Sequence, residues 1–216
     1  MNHKTITNLK LISKEIELKS KNVKIIAVSK TFTKEDIIPL INYGHLHFGE
    51  NKVQEALLKW QDLKSNNADV KLHFLGKLQT NKVKYIFPLF DFIHSLDNLK
   101  LAKKINDEQR KKNFRPKIFV QVNIGNESQK NGLKTEDLEP FLNACKEQFD
   151  LNIIGLMCIP PNDEYIELNF KKMIGLCKKF NLHELSMGMS NDYNLAIKNG
   201  ATFVRIGSKI FGARSV

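Results

Sequence analysis

Eight short apolar runs, each bounded by polar residues or glycine, govern what this chain can fold into: VKIIAVS (23–29), HLHFG (45–49), VKLHFLG (70–76), FDFIHSL (90–96), KIFVQVN (117–123), LNIIGLMC (151–158), HELSMG (183–188) and TFVRIG (202–207). Between them, apolar residues recur at helical spacing over 34–43, 50–64, 79–87, 98–113, 135–148, 162–180 and 191–199. Several of these segments open with acidic or capping residues, as in TKED, TEDLEP and SNDY, which suit a helix N-terminus. Strict alternation of strand and helix requires crossover connections and therefore a parallel sheet. Eight such units predict an α/β fold, a closed (β/α)8 TIM barrel, with an extra helix over 3–20 ahead of the first strand. An open doubly wound sheet would carry a glycine-rich turn after its first strand, and AVSKTFTKED contains no glycine.

A chain of 216 residues suits one such domain, here taken as 1–216. The N-terminal MNHKTITNLKLISKEIELKS is charged every few residues and has no apolar core, so it does not read as a signal peptide. No stretch approaches the length of a membrane span. Cys145, Cys158 and Cys177 are odd in number and lack CxxC spacing, which points to a reducing, cytoplasmic setting; the Asn126–Ser128 sequon then carries no meaning. The net charge of +11 invites a nucleic-acid partner. Its lysines, however, sit in pairs on helical stretches such as LAKKINDEQRKK and FKKMIGLCKKF, interleaved with acidic or apolar residues. That is the pattern of a solvated helix surface, without an aromatic-lined basic groove, so neither nucleic acid nor membrane is expected as a partner.

In a barrel the chemistry sits at the carboxyl ends of the strands. Lys30 ends the first run. Alone it is a strand-terminal lysine that reaches water; at an apolar mouth it is an amine whose pKa desolvation can lower enough for Schiff-base formation. Its company favours the second reading. The turns SMGMSNDY and RIGSKIFG, after the seventh and eighth runs, combine glycine with serine, a composition that can hold a phosphate on backbone N–H groups and a hydroxyl. Arg205 stands in the eighth run two residues before Gly207, so its side chain lies one layer below that phosphate. A guanidinium only donates, so a pyridine nitrogen facing it stays unprotonated. These positions together suggest pyridoxal 5′-phosphate. His45 and His47 alternate and could face one side as metal ligands, but no cysteine or carboxylate cluster completes a site, so no metal is expected. His73 reads as a structural histidine, Cys158 as a cavity-lining residue, Met157, Met187 and Met189 as core or pocket wall, and Trp60 as a packing residue of a helix face.

The segments AVSK, FGENKVQE, HFLGKLQTNK, HSLD, GLMCIPP, LSMGMSNDYNLAIKNGA and VRIGSKIFGAR closely resemble the pyridoxal phosphate homeostasis family, whose fold is that of the alanine racemase N-terminal barrel. The resemblance spans nearly the whole chain. It implies that Lys30 carries the cofactor as an internal aldimine, that Ser190, Gly207 and Ser208 bind the phosphate, that Arg205 faces the pyridine nitrogen, and that Asn51 lies beside the ring. Serine stands at 208 where the family often has threonine, which preserves the hydroxyl; lysine stands at 77 where it often has histidine, so the resemblance assigns no role to that position.

Alanine racemases add a β-rich second domain and take an opposing tyrosine from a partner subunit, whereas this sequence stops eight residues after Ser208. An unprotonated pyridine is also a weaker electron sink. The expectation is a monomeric, non-catalytic carrier that holds, buffers or transfers pyridoxal phosphate, with apo-enzymes that need the cofactor as partners and no catalytic residues. The alternatives are a racemase-like enzyme acting on a small amino acid, and a phosphate-binding barrel enzyme without the cofactor.

Overall fold

The computed structural model describes residues 3–213, so Arg214 of the C-terminal motif lies outside the described residues. Eight parallel strands, β1 (Lys24–Val28), β2 (His47–Glu50), β3 (Lys71–Phe74), β4 (Phe92–Leu96), β5 (Lys117–Val122), β6 (Asn152–Cys158), β7 (Glu184–Met189) and β8 (Phe203–Ile206), pair in chain order and close into a barrel through β8 and β1. Helices α1 (Lys4–Glu17), α2 (Lys34–Asn42), α3 (Val53–Ser65), α4 (Val83–Ile86), α5 (Leu99–Lys112), α6 (Leu138–Gln148), α7 (Ile166–Lys179), α8 (Tyr193–Lys198) and α9 (Ser208–Phe211) surround it. This is the expected (β/α)8 barrel with its additional first helix.

Closure buries both faces of the sheet, and the two-residue pleat then sorts each strand into an inner and an outer row. On β1, Ile25 and Ala27 join the large core between sheet and helices, while Ile26 and Val28 join a second cluster inside the barrel. Val204 and Ile206 of β8 likewise face the helices, and Phe203 packs inside with Phe92, Phe119 and Met157. Arg205 therefore belongs to the inner row of β8, where the sequence pattern placed it.

Three boundaries differ from the sequence reading. Strand β2 begins at His47, not His45; His45 lies ahead of it and its Nε2 is 2.9 Å from the His47 carbonyl, so the two imidazoles do not share a strand face. The helix expected over 79–87 is a 3-10 turn at Thr80–Lys82 followed by the short α4. Helix α7 starts at Ile166 because 159–162 forms part of the barrel mouth.

Helix α1 is tied to the end of the barrel. Asn8 Nδ2 donates to the Ile210 carbonyl at 2.9 Å, and Glu15 accepts from Tyr193 Oη and Asn194 Nδ2, both at 2.5 Å. Those hydrogen bonds hold the Glu15 carboxyl below its ordinary pKa. Among the described residues no helix is long and apolar enough to cross a membrane.

Strands β6 and β7 approach so closely at Gly155 that a Cβ there would sit 1.9 Å from the Glu184 carbonyl oxygen. Only backbone separation could relieve that clash, and the closed sheet resists it. Gly155→Ala is expected to cost more than about 3 kcal/mol and to lower the melting temperature by roughly 6–12 °C, read by thermal denaturation against the parent protein.

Candidate functional site

The carboxyl ends of the strands surround a cavity of about 340 Å³. Lys30, Asn51, Ser190, Arg205, Gly207 and Ser208 all line it, so the six positions singled out from the sequence are brought together. The wall also includes Leu75, Ile159, Pro160, Met189 and Asp192.

Lys30 stands in a turn after β1 that a buried polar cluster fixes from below. Glu50, fully buried at the end of β2, accepts through Oε1 from Ser29 Oγ (2.7 Å), Lys59 Nζ (3.0 Å) and Trp60 Nε1 (2.9 Å). Lys59 Nζ also donates to the Ser29 carbonyl (2.9 Å) and to Glu55 Oε1 (3.1 Å). Glu55 in turn accepts from the Thr31 amide at 2.6 Å. Thr31 has φ +68°, an unfavourable region for a β-branched residue, and this amide–carboxylate bond holds it there. Residues 29, 30 and 31 are thus clamped on both sides of the lysine. Trp60 donates a hydrogen bond as well as packing, a role its helical position did not reveal. Phe32, next along, stacks on Phe211 of α9 with centroids 4.7 Å apart, joining the lysine turn to the Gly207–Ser208 loop.

On the opposite side, Asp192 closes the turn after β7: its Oδ1 accepts from the Met189 amide at 2.5 Å, and its own amide donates to the Met189 carbonyl at 3.1 Å. Ser190 is displayed between them. After β8, Ile210 and Phe211 both donate their amides to the Gly207 carbonyl at 2.9 Å, and the hydroxyl of exposed Ser208 stands at the loop's rim. Asn51 is held by close backbone contact, since a Cβ on Gly76 would lie 2.1 Å from the Asn51 carbonyl oxygen. Gly207 is different: a Cβ there would meet nothing nearer than the Val28 carbonyl at 3.4 Å, so the fold does not itself demand glycine.

Arg205 forms the floor. Nη1 donates to Ser186 Oγ and Nη2 to the Cys158 carbonyl, both at 2.8 Å. Among the described residues no carboxylate lies within 4.0 Å of it. Burial pulls its pKa down from the ordinary value, opposed by Cys158 and Asp192. A buried cation on two neutral acceptors retains N–H groups for an acceptor in the cavity. Cys158, buried below, is pushed up to about 12 by desolvation and is no nucleophile at neutral pH.

Ser186 connects Arg205 to a line of imidazoles that the sequence reading did not assemble. His94 Nδ1 is 3.0 Å from Ser186 Oγ, His94 Nε2 is 2.9 Å from His73 Nδ1, and His73 Nε2 is 2.9 Å from His47 Nδ1. Their nitrogens engage one another in file instead of converging, and among the described residues no group of three or more ligating side chains could hold a metal. His73 faces into the barrel and is engaged through both nitrogens.

Against known proteins, residues 4–215 match the family model described as alanine racemase, N-terminal domain. The pyridoxal phosphate homeostasis protein of Aquifex aeolicus is 40% identical, over 88% of this chain and 87% of that protein. Its namesake in Haemophilus influenzae is 38% identical, over 96% and 95%. Among solved structures, PipY of Synechococcus elongatus with pyridoxal phosphate bound superposes with a TM-score of 0.85 at 32% identity, over 96% of this chain and all of that one. An alanine racemase of Clostridium difficile 630, at 16% identity and TM-score 0.76, shares the fold; this chain spans 57% of its length.

Burial lowers every imidazole around the file. His45 and His47 are brought to about 4, and His73 and His94 lie well below the ordinary 6.5, with desolvation the largest cause in each. Below pH 6.5 the unfolded chain therefore takes up protons that the folded barrel refuses. Stability is complete above that pH and declines as pH falls toward 4, by up to about 1.4 kcal/mol per pH unit for each histidine. Urea midpoints measured at pH 7.5, 6 and 5 should fall steadily, and His47→Asn should flatten the slope.

Proposed function

The chain belongs to the family of pyridoxal phosphate homeostasis proteins, and from that membership we propose that it binds pyridoxal 5′-phosphate in the cavity at the carboxyl ends of its strands. Its role in this reading is to hold, buffer or transfer the cofactor in the cytoplasm, as one domain over 1–216 and as a monomer, with apo-enzymes that need the cofactor as recipients.

Lys30 is the amine that takes the cofactor's aldehyde, Arg205 donates to the pyridine nitrogen, Asn51 lies beside the ring, and Ser190, Gly207 and Ser208 receive the phosphate. The observation that carries the reading is Arg205: a buried guanidinium that meets no carboxylate among the described residues, lining the same cavity as a clamped lysine and two serine-bearing turns. Gly207 supports it, since a position the fold does not restrict to glycine leaves room for a ligand's approach. When bound, pyridoxal phosphate supplies a reactive aldehyde and an electron-accepting ring.

The same residues favour carriage over turnover. Arg205 keeps the ring nitrogen unprotonated and so weakens the electron sink. Asp192, a carboxylate on the cavity wall, is engaged with the Met189 amide, and Tyr193 donates to Glu15. Both side chains are thereby engaged away from the acid–base work that racemisation would ask of them.

Purified protein incubated with pyridoxal phosphate should show a near-visible band that borohydride removes, with the label mapped to the Lys30 peptide; Lys30→Ala should lack both. A colourless parent protein overturns the reading, and amino-acid turnover at ordinary enzyme rates replaces it with the racemase-like one. Gly207→Ala separates binding from folding: its melting temperature should stay within about 2 °C of the parent, while cofactor affinity, followed by the same band, falls at least about tenfold, or 1.4 kcal/mol.

A further inference from the structure

We propose that Ser186, His94, His73 and His47 are positioning residues for Arg205, joined in a hydrogen-bond file whose direction Arg205 itself imposes. Its bearing on the cofactor rests on the reading given above, but the direction of the file does not.

A guanidinium has five N–H donors and no acceptor, so Nη1 must donate to Ser186 Oγ across their 2.8 Å contact. The Ser186 hydroxyl, buried inside the barrel, has one other described partner, His94 Nδ1 at 3.0 Å. Were Nδ1 protonated, the oxygen would face two donors and its own hydrogen would have no acceptor. The hydroxyl therefore donates to His94 Nδ1, which places the His94 proton on Nε2. Nε2 then donates to His73 Nδ1 at 2.9 Å, and His73 is forced to the same tautomer. Its Nε2 donates to His47 Nδ1 at 2.9 Å, fixing the third imidazole alike. Five inner-row side chains, from β8, β7, β4, β3 and β2, are thus oriented by one charge.

The packing holds the rings to this line. His73 stacks on Phe92 with centroids 4.1 Å apart, and His94 on Phe119 at 4.3 Å. The file emerges at His47, the half-buried member, which lines a second cavity of about 380 Å³ at the amino ends of the strands, together with Lys24, Lys71 and Lys117. A second proton on His47 or His73 would set two N–H donors against each other in a 2.9 Å contact, and one on His94 would leave the Ser186 hydroxyl without an acceptor, so the line operates with neutral imidazoles. In return, Ser186 Oγ always presents a lone pair to Nη1. With Nη2 fixed by the Cys158 carbonyl, the guanidinium plane keeps one orientation beneath the upper cavity.

The direction is read by ¹⁵N NMR of imidazole-labelled protein with no cofactor added. His47, His73 and His94 should all show an unprotonated Nδ1 and a protonated Nε2. Ser186→Ala removes the element that transmits the direction, so His94 should lose its single tautomer; Ser186→Thr, which keeps the hydroxyl, should restore it. In cofactor titrations followed by the near-visible band, Ser186→Ala should bind at least about fivefold more weakly, and Ser186→Thr should bind like the parent. A protonated Nδ1 on any of the three rings in the parent overturns the file. Unchanged tautomers and unchanged affinity in Ser186→Ala overturn the positioning role; if that variant does not fold, Ser186→Cys, with a weaker donor and acceptor, carries the same comparison. Expected tautomers in a parent protein that takes up no pyridoxal phosphate would refute the functional reading and leave the file standing.

Discussion

A parallel sheet closed on itself has no solvent face, and every strand residue must satisfy its chemistry either among the helices outside or among the other strands inside. The outer row meets that condition mostly with apolar contact: Ile25 and Ala27 of β1, Val204 and Ile206 of β8, and their counterparts form one layer under the helices, which the hydrogen-bonded Glu50 and Ser29 join at the strand ends. The inner row is short of apolar residues. Phe92, Phe119, Met157 and Phe203 fill its middle, but His47, His73, His94, Ser186 and Arg205 share the same space. These five polar side chains, enclosed there, bond to one another and, through Arg205, to the Cys158 carbonyl, and so form one connected network.

Two buried ions in this barrel are treated in opposite ways. Glu50 meets Lys59 at 3.0 Å, and the donors Ser29 and Trp60 join the same carboxylate oxygen in a cluster that stiffens the turn carrying Lys30. Removing one member would leave an uncompensated buried charge, the costly half of such a pair. Arg205 has a hydroxyl and a carbonyl instead of a carboxylate, so its charge remains only partly answered within the chain. The first arrangement is a brace; the second leaves N–H groups that, in the proposed reading, donate to a ligand in the cavity.

Much of this was readable from residue order because strand and helix periods are local. Arg205 stood out as a charge in an apolar run, and Lys30, Ser190 and Gly207 stood out by following their strands, since both signals lie within a few residues. The clamp beneath Lys30 was less visible. Glu55 and Lys59 form an ordinary helical i,i+4 pair, and only the approach of β1 to β2 reveals that they also grip Thr31 and Ser29. The histidine file left no trace, because its contacts span 26, 21 and 92 residues and depend on strand register across the barrel. His45 drew attention next to His47, yet it lies ahead of the strand and only His47 enters the barrel.

The bonds from α1 to α8 and α9 join residues nearly two hundred positions apart. As the chain is synthesised, its first helix lacks these hydrogen-bond partners until residues around 193–211 have left the ribosome, whatever its own propensity. The Phe32–Phe211 stack imposes the same delay on the turn that carries Lys30. Contacts this distant in sequence make closure a late folding event. A nascent chain therefore presents Lys30 without the cavity around it, which is assembled only once the protein is complete to that point.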